Sequence, residues 1–599
     1  MSSENAQLFL DVKNSASGQR WVNRLSPAQR NEAGAISQSL DLPDLVGRVL
    51  AGRGVTVENA DGFLEPSIRD LMPDPDRLTD MGKAAIRIAD AIIKKEQVAI
   101  FGDYDVDGAS SAALLHRFLV HHGVMSEIYI PDRVFEGYGP NPAAIETLVQ
   151  NGASLIVTVD CGATSFEALE HAATLGVEVI VLDHHQMGVE LPPAVALVNP
   201  NRQDDLSGLG YLCAAGVVFM TLVATLRELR GRNLYSNGAQ PPDLLSWLDV
   251  VALATVCDVV PLVGLNRAFV VKGLQVMRQQ KNIGLRELMR IARLDGPPRP
   301  YHLGFLLGPR INAGGRIGDA ALGSRLLTTQ DSDLASEIAE QLEALNAERQ
   351  RAEAIMLEQA IAEADAETMR GQPPAVLVTA SEEWHPGIVG LLASRLKDRF
   401  KRPTFAIAFD KSGKGSGSGR SISGVDLGAM VRKAVELEIL EKGGGHAMAA
   451  GLTIQKDKLG ALRSFFEENL SDAVEALAGN QMLKIDGALT ARAATLDLIE
   501  LLEQAGPYGQ GHSQPIFALP AHQIQFAKVV GQNHVSFTAS GGDGAKLRGI
   551  AFRAADSELG QLLLNSGGRP LHLAGNLNAD FWQGSKRVQL RLIDAALPA

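Results

Sequence analysis

The sequence predicts an α/β protein in which a parallel-sheet domain, a long connector helix and a second α/β domain precede an all-β barrel. Three observations lead to this fold class. Short β-branched runs alternate with apolar helical stretches from Val98 to about Pro261, a pattern typical of a parallel sheet covered on both faces. Ser332–Met369 is rich in Ala, Glu, Gln and Leu and contains neither Gly nor Pro, which predicts one long helix. Alternating strands and turn signals fill about 482–599.

These observations divide the chain into five parts. The expected parts are a flexible leader at 1–40, a parallel-sheet domain at 41–330, the connector helix at 331–370, a second α/β domain at 371–480 and a barrel at 481–599. The barrel pattern is that of an OB-like fold, a common nucleic-acid binder.

The length, composition and net charge restrict the class of protein. The 599 residues are enough for three or four domains, and 46% hydrophobic residues indicate large cores. A net charge of −13 argues against a generally basic nucleic-acid coat, while a local basic groove remains open. Three scattered cysteines fit a reducing cytoplasm rather than a disulfide framework. No signal-peptide pattern is seen, and Leu209–Leu226 is expected to be a buried core helix and not a membrane span.

Four apolar runs each lead to an acidic residue. The runs and the residues that follow them are Val98–Phe101 before Asp103-Tyr104-Asp105-Val106-Asp107-Gly108, Leu155–Val159 before Asp160, Val177–Leu182 before Asp183-His184-His185, and Val250–Val256 before Asp258. The fourth run fits a helix equally well. Because ligands of parallel sheets collect beyond the carboxyl ends of the strands, these side chains are expected to meet.

Asp105 and Asp107 stand two residues apart at the end of the first run. If the segment stays extended, both carboxylates point the same way and can hold one ion, with Asp103 as a third ligand or a supporting partner. The plainer alternative is an acidic turn in which an aspartate caps the following helix. Gly108 permits the sharp turn in either case.

A set of carboxylates and one imidazole is large enough for two ions that share a bridging carboxylate. The set comprises Asp105, Asp107, Asp160, His184 and Asp258. An imidazole beside carboxylates suits manganese, zinc or iron better than magnesium alone. Two such ions can activate a water and stabilise the leaving oxygen of a phosphodiester. For each of these residues taken alone, helix capping or a polar loop is the structural alternative to metal binding.

Several glycine-rich segments are candidates for phosphate binding. Gly308–Arg316 is interpreted as a basic loop in which Arg310 and Arg316 clamp phosphates. A glycine turn with solvated arginines explains this segment equally well. Gly417–Ser421 and Gly444-Gly445-His446 are interpreted as anion nests, with a further donor from His385. The expected substrate-binding residues are Arg310, Asn312, Arg316, His385, Ser418, Arg420, Gly444, Gly445 and His446.

The ordered motifs resemble those of the DHH phosphoesterases. The four acidic segments match in order and context, and Gly443–Gly451 is similar to the signature of the DHH-associated second domain. The resemblance implies processive 5′→3′ degradation of single-stranded DNA in recombination and repair, with two manganese or magnesium ions. It implies that Asp105, Asp107, Asp160, His184 and Asp258 are metal ligands, with His185 at the scissile phosphate.

One position departs from the family pattern. Many members have a histidine ligand four residues before the equivalent of Asp105, and this chain has Phe101 there. One ion site therefore loses a nitrogen donor. Two alternatives remain open: Asp103 replaces that donor, or one metal binds weakly and arrives with the substrate.

Three rival functions remain open from the sequence. A pyrophosphatase or short-oligonucleotide phosphodiesterase would not need the connector helix and barrel, and a decayed scaffold would have lost ligands that this chain retains. An RNA exonuclease shares the same chemistry, since no residue visibly reads a 2′-hydroxyl. The expected partners of the preferred function are single-stranded DNA, a single-strand-binding protein and a helicase, with no membrane.

Overall fold

A computed structural model describes residues 7–132, 136–137, 139–368, 373–478, 481–582 and 585–598. The chain forms two compact units. The larger unit comprises Ile68–Glu475 with Gly509–Gly511. The smaller unit joins Met1–Ser67 to Ala476–Tyr508 and His512–Ala599.

The larger unit begins with a five-stranded sheet whose pairings are all parallel, as the sequence predicts. In spatial order, its strands are Ser126–Tyr129, Val98–Gly102, Leu155–Val159, Glu178–Leu182 and Ala196–Val198. The chain moves to one side of Val98–Gly102 for its second strand and to the other side for its third. The strand order therefore reverses between Val98–Gly102 and Leu155–Val159, which is where open α/β sheets bind ligands.

Both faces of this sheet are buried, which explains the nearly continuous apolar runs. Along the central strand, Val98 and Ile100 join one hydrophobic cluster, while Ala99 and Phe101 join another on the opposite face. Helices cover both faces and extend the domain beyond the sheet. Their bounds are Ile68–Leu71, Met81–Lys94, Val106–His121, Pro142–Gln150, Phe166–Thr174, Ala214–Gly231, Leu248–Cys257, Gly264–Met277, Ile283–Ile291, Pro300–His302, Gly308–Ile317 and Leu322–Thr328.

The structure tests two helix predictions in this domain. The run before Asp258 is helical, in Leu248–Cys257. The apolar stretch predicted at Leu209–Leu226 forms a helix that begins and ends later, at Ala214–Gly231, and is buried along most of its length. Within the described ranges, no helix combines the length and the apolar character needed to cross a bilayer.

The connector helix covers Ser332–Thr368, and its predicted last residue, Met369, lies outside the described residues. A second five-stranded sheet follows, with one parallel and three antiparallel pairings. In spatial order, its strands are Lys442–His446, Ala449–Gln455, Lys414–Arg420, Thr404–Phe409 and Leu377–Ser381, and its helices are Val389–Phe400, Leu427–Glu436 and Leu459–Ala478.

The smaller unit contains the predicted barrel. Its first strand pairs with both the second and the last strand in spatial order, so the five strands close into a ring without an open edge. In that order, the strands are Phe517–Val530, His534–Ser540, Lys546–Ala551, Ser585–Ala596 and Pro570–Trp582. Helices Leu496–Ala505 and Glu558–Leu564 accompany them.

The expected flexible leader is wrong for the described residues of 1–40. Arg20–Asn23 is a strand that pairs in parallel with Met482–Ile485, and Pro27–Leu40 is a helix. The helix has a capping box, in which Ser26 and Gln29 each bond the backbone of the other. Helices Asp44–Ala51 and Ala60–Leu64 follow in the same unit, so residues 41–67 do not belong to the parallel-sheet domain that the sequence predicts at 41–330. The sequence signal failed because this strand pairs with residues far along the chain.

Trp21 anchors this terminal strand to the barrel. Its side chain is fully buried, and its indole Nε1 donates a 2.9 Å hydrogen bond to Asp594 Oδ2. Asp594 is also fully buried, and its Oδ1 accepts from the backbone N–H groups of Ser17 and Ala595. One buried carboxylate therefore holds segments from both ends of the chain.

Trp21→Phe should destabilise the smaller unit by about 1–3 kcal/mol, because the buried carboxylate of Asp594 loses a donor while most of the packing remains. Thermal unfolding followed by circular dichroism measures the effect. Leu597→Ala, at a residue that is 52% exposed, is the matched control and should leave the transition in place. Equal transitions for Trp21→Phe and the wild type would contradict this role.

Candidate metal centre

The first acidic segment turns sharply from the central strand into helix Val106–His121. Asp105 caps this helix, since its Oδ1 accepts from the backbone N–H groups of Asp107 at 2.8 Å and Gly108 at 3.0 Å. A Cβ on Gly108 would lie 2.4 Å from the carbonyl oxygen of Asp103, so only glycine fits the turn. Asp105 thus caps the helix, as the plainer alternative from the sequence has it, and it also lies in a group of residues that could hold a metal ion.

The extended segment predicted for Asp105 and Asp107 is wrong, because the helix already begins at Val106. The two carboxylates consequently join different groups of donor atoms. Asp105 lies with Asp103 and Asp160, whereas Asp107 lies with His184 and Asp258; within each group, one donor atom per residue falls within 4.8 Å of the others. The two aspartates therefore belong to two different groups of potential ligands instead of one.

Asp107 is only 1% exposed. Its Oδ2 accepts from Ala214 N at 2.7 Å and its Oδ1 from Ala215 N at 2.9 Å, both at the start of helix Ala214–Gly231. Burial raises the pKa of Asp107, and the charge of Asp105 adds to the rise, while these N–H groups oppose it. The helix N-terminus thus orients a carboxylate that the protein interior would otherwise disfavour.

Asp160 directly follows strand Leu155–Val159 and has a left-handed backbone, with a φ of 61°. This conformation is uncommon for a residue with a side chain and often marks a functional site. Asp160 belongs both to the group with Asp103 and Asp105 and to a group with His184 and His185. Burial and the surrounding aspartate charges raise its pKa well above the usual value. Asp160 therefore links the group of Asp103 and Asp105 to a group that contains His184.

His184 presents one nitrogen to three carboxylates. Its Nδ1 donates to the carbonyl of Leu212 at 3.1 Å, which leaves the lone pair on Nε2. Nε2 lies 3.3 Å from Asp160 Oδ1, 3.6 Å from Asp258 Oδ2 and 3.8 Å from Asp107 Oδ2. Asp258 reaches this point from the C-terminal end of helix Leu248–Cys257.

The donor set fits divalent metal ions. His184 Nε2 and Asp258 Oδ2 are buried and have no hydrogen-bond partner among the described residues. Burial and the charges of Asp107 and Asp105 also raise the pKa of Asp258. Carboxylate oxygens around one imidazole are suitable ligands for manganese, and a cation would offset the buried negative charge.

Asp183 supports its neighbours rather than joining the donor groups. Its Oδ1 accepts from the backbone of His184 at 2.7 Å and from Nδ1 of His185 at 2.8 Å, and its Oδ2 accepts from Ala163 N at 3.0 Å. Burial opposes its ionisation, yet these bonds and the histidine charges lower the pKa of Asp183 to about 2. Burial likewise disfavours charge on His185, but Asp183, Asp103 and Asp105 raise its pKa to about 9.

The loop predicted at Gly308–Arg316 is wrong, because these residues form helix Gly308–Ile317. Its small residues allow close packing: a Cβ on Gly315 would lie 2.6 Å from the carbonyl oxygen of Tyr104. Asn312 Oδ1 accepts from Val106 N at 3.1 Å. The helix thus contacts the first acidic segment directly, a role that the glycine-rich composition concealed.

The two arginines of this helix have different surroundings. Arg310 pairs with Glu343 of the connector helix at 2.5 Å and donates to the carbonyl of Leu306 at 2.7 Å. Arg316 Nη1 donates to the carbonyl of Gly387 in the second α/β domain at 2.9 Å. Both therefore hold elements of the larger unit together.

The anion nests predicted in the second domain are also wrong, because both segments lie in strands, Lys414–Arg420 and Lys442–His446. Aromatic rings occupy the space above the glycines of the first strand. A Cβ on Gly419 would lie 2.3 Å from the ring of Phe405, whose strand runs alongside. These glycines are required for sheet packing and not for a phosphate loop.

The polar candidates of this domain lie near these strands. Arg420 Nη1 donates to Ser418 Oγ at 2.9 Å. A Cβ on Gly390 would lie 3.1 Å from Arg420 Nη2, so this glycine leaves room for the guanidinium group. His385 Nδ1 accepts from the backbone of Gly387 at 3.0 Å. His446 is exposed and ends the edge strand that also contains Gly444 and Gly445.

Sequence reasoning missed the groups that orient the site. They include the Leu212 carbonyl, the N–H groups of Ala214 and Ala215, and Asn199, whose Nδ2 donates to the carbonyl of His185 at 2.8 Å. Three of these groups act through the backbone, so their side chains give no sequence signal. Asn199 also lacked a sequence signal of its own. Phe101 is fully buried and stacks with Tyr129 at a ring separation of 5.4 Å, so it supplies packing in place of a ligand.

Comparisons with known proteins agree with this architecture. Residues 97–255 match the N-terminal domain of the DHH family, residues 374–472 the DHHA1 domain and residues 485–594 the RecJ OB domain. The chain is 35% identical to the single-stranded-DNA-specific exonuclease RecJ of Escherichia coli, over 93% of this chain and 96% of that protein. It is 32% identical to the RecJ of Bacillus subtilis, over 97% of this chain and 71% of that protein.

Solved structures give the same result. The crystal structure of RecJ in complex with Mn²⁺ from Thermus thermophilus superposes with a TM-score of 0.78 at 28% identity, covering 96% of this chain and 78% of that one. A structure of exonuclease RecJ bound to manganese is 33% identical, with a TM-score of 0.56, over 67% of this chain and 96% of that one.

Gly315→Ala should weaken Mn²⁺ binding about 10- to 100-fold, because the new methyl group displaces the backbone that precedes Asp105. Titration calorimetry of the metal-depleted protein with Mn²⁺ measures this affinity. Gly460→Ala is the matched control, since Gly460 also lies in a helix of the larger unit and has open space at its Cβ. Unchanged Mn²⁺ affinity in Gly315→Ala would show that this close packing does not position the ligands.

Proposed function

We propose, from the premise that this chain belongs to the RecJ family, that it is a metal-dependent exonuclease which hydrolyses single-stranded DNA from the 5′ end and releases mononucleotides. One observation carries the proposal. Asp160 lies at the strand-order reversal of the sheet and shares donor groups with residues from both neighbouring acidic segments. This is the arrangement that two ions with a common carboxylate require.

We assign the metal ligands by donor group. Asp107, His184 and Asp258 would hold one ion, and Asp103 and Asp105 would hold the other, with Asp160 between them. Manganese or magnesium bound here would lower the pKa of a water and stabilise the leaving oxygen of the phosphodiester. The position with Asp103 and Asp105 offers oxygen donors, which hard cations accept.

His185 is proposed to act on the substrate phosphate. Its Nδ1 is engaged by Asp183, which leaves Nε2 to donate toward a phosphate oxygen. Against the effect of burial, the hydrogen bond to Asp183 and the charge of that carboxylate raise the pKa of His185, and the bond fixes the orientation of the imidazole. Asp183 is proposed to act on the substrate through this histidine, while it also holds the backbone of His184 and Ala163.

The second α/β domain is proposed to hold the nucleotide. Arg420, with Ser418 beside it, and His385 offer N–H and O–H donors to phosphate oxygens. The remaining candidates are Asn312, Arg316, Gly444, Gly445 and His446, with Arg310 acting through the connector helix. The barrel is proposed to guide the incoming strand, as OB folds bind single strands with a basic groove and stacking aromatics.

The proposal extends to partners and location. A nuclease restricted to single strands depends on other proteins that expose and protect them, so a helicase and a single-strand-binding protein are the proposed partners. The three cysteines have free thiols, which suits a reducing cytoplasm.

A digest of end-labelled DNA and RNA tests the function. With Mn²⁺ or Mg²⁺, a 3′-labelled DNA single strand should shorten progressively, a 5′-labelled one should release its label at once, and duplex DNA and RNA should survive. Chelator should stop the reaction. Immediate release of a 3′ label would reverse the proposed polarity, and rapid RNA hydrolysis would favour the RNA exonuclease instead.

Asp160→Ala should abolish hydrolysis, a loss of about 10³-fold or more, because both ion positions lose a shared ligand. Binding of single-stranded DNA, measured by fluorescence anisotropy, should stay close to that of the wild type. Glu178→Ala, at an exposed residue of a strand in the same sheet, is the control and should retain activity. Substantial turnover by Asp160→Ala would refute the bridging role.

A further inference from the structure

Two aromatic side chains lie side by side on the surface of the catalytic domain. Tyr301 is 55% exposed and Phe305 is 69% exposed. Their ring centroids are 5.1 Å apart and their planes differ by 20°, so the rings are stacked. Burying such rings is strongly favourable, so the stacked pair is a candidate binding surface.

The pair lies on the outer side of a short helical segment. Pro300–His302 leads into the π-helical turn Leu303–Leu307, and π-helical turns occur frequently at functional sites. Leu303 and Leu307 are fully buried in the domain core, on the side opposite the two rings. The core therefore fixes this segment and presents the rings outward.

This segment is linked to the metal centre at two points. The carbonyl of Leu303 accepts from Cys257 Sγ at 3.4 Å, next to Asp258. The helical segment continues into Gly308–Ile317, where Asn312 bonds Val106 between two proposed ligands. Seven residues separate Phe305 from Asn312, which is about 10 Å along a helix axis. Phe305 is thus about two helical turns from the residue that contacts the first acidic segment.

The surrounding sequence is basic in an acidic protein. Residues 272–316 contain nine Lys or Arg and two Asp or Glu, a net charge of +7 in a chain whose total is −13. Arg278, Lys281 and Arg293 have no ion-pair partner in the part of the chain that the structure describes. Aromatic faces interspersed with basic side chains are the combination that binds single-stranded nucleic acid, through base stacking and phosphate contacts.

We propose that Tyr301 and Phe305 form a stacking platform for unpaired bases of the DNA strand near the metal centre. This inference rests on the proposed function and names a binding subsite for its substrate. Stacking requires a base that is free of its complement, so the platform would favour single strands and tolerate any base sequence. The opposite charges of the segment and the DNA backbone favour this occupant over a protein partner.

An abasic-site scan tests the platform. The full-length protein with Mn²⁺ is titrated into fluorescent single strands whose phosphorothioate linkages resist hydrolysis, with one base removed at successive positions from the 5′ end. For the wild type, removal at one or two positions should weaken binding about tenfold. The doubly substituted Tyr301→Ala/Phe305→Ala protein should bind the complete strand about tenfold more weakly, and abasic sites at those positions should cost it nothing further.

Three further variants separate stacking from other effects. Tyr301→Phe keeps the ring and should bind like the wild type, whereas Tyr301→Leu/Phe305→Leu keeps apolar bulk and should show the same loss as the alanine variant. Met125→Ala, at another exposed residue of the same unit, should change nothing. Unfolding temperatures equal to that of the wild type show that each variant is folded, and the leucine variant replaces the alanine variant if the latter is not.

The outcomes are distinct. If both ring-deleted variants bind as tightly as the wild type and lose the same affinity at every abasic site, the platform is overturned, and the surface would then suit a protein partner. Hydrolysis of unmodified single strands by the wild type is measured separately. Its absence would overturn the proposed function, whereas normal hydrolysis with unchanged binding would overturn the platform alone.

Discussion

The structure depends on the placement of several carboxylates in one buried volume. Asp103, Asp107 and Asp160 are almost completely inaccessible, and burial together with mutual repulsion raises the pKa of Asp107, Asp160 and Asp258. Such a cluster is unfavourable unless positive charge enters it. The surrounding fold can therefore be understood as a set of constraints that hold these groups together for cations.

Those constraints come largely from backbone groups. The start of helix Ala214–Gly231 holds Asp107, the N–H groups of helix Val106–His121 hold Asp105, and a carbonyl fixes the tautomer of His184. Backbone groups belong to elements anchored in the core, so the side chains they orient have little freedom to change position. The site is consequently preorganised by secondary structure, which is more rigid than a loop.

Close packing at glycine also helps to position the site, because it brings more distant elements against it. Gly315 brings helix Gly308–Ile317 onto the first acidic segment, and Gly387 and Gly390 make room for Arg316 and Arg420 in the second domain. Glycines that resembled phosphate loops in the sequence are instead places where helices and strands approach. Helix Gly308–Ile317 thereby contacts both the first acidic segment and the domain proposed to hold the nucleotide.

The sequence alone determined the parallel sheet, the connector helix, the barrel and the identity of the clustered acids and imidazole, because apolar periodicity and residues at strand ends are local properties. It did not determine that Asp105 and Asp107 serve different donor groups, that Gly308–Arg316 is helical, or that Arg20–Asn23 pairs with Met482–Ile485. Each of these depends on contacts between residues distant along the chain. A donor group, a close contact at glycine and a strand pairing each need a second partner. Tertiary packing supplies that partner, so the sequence near either residue does not reveal it.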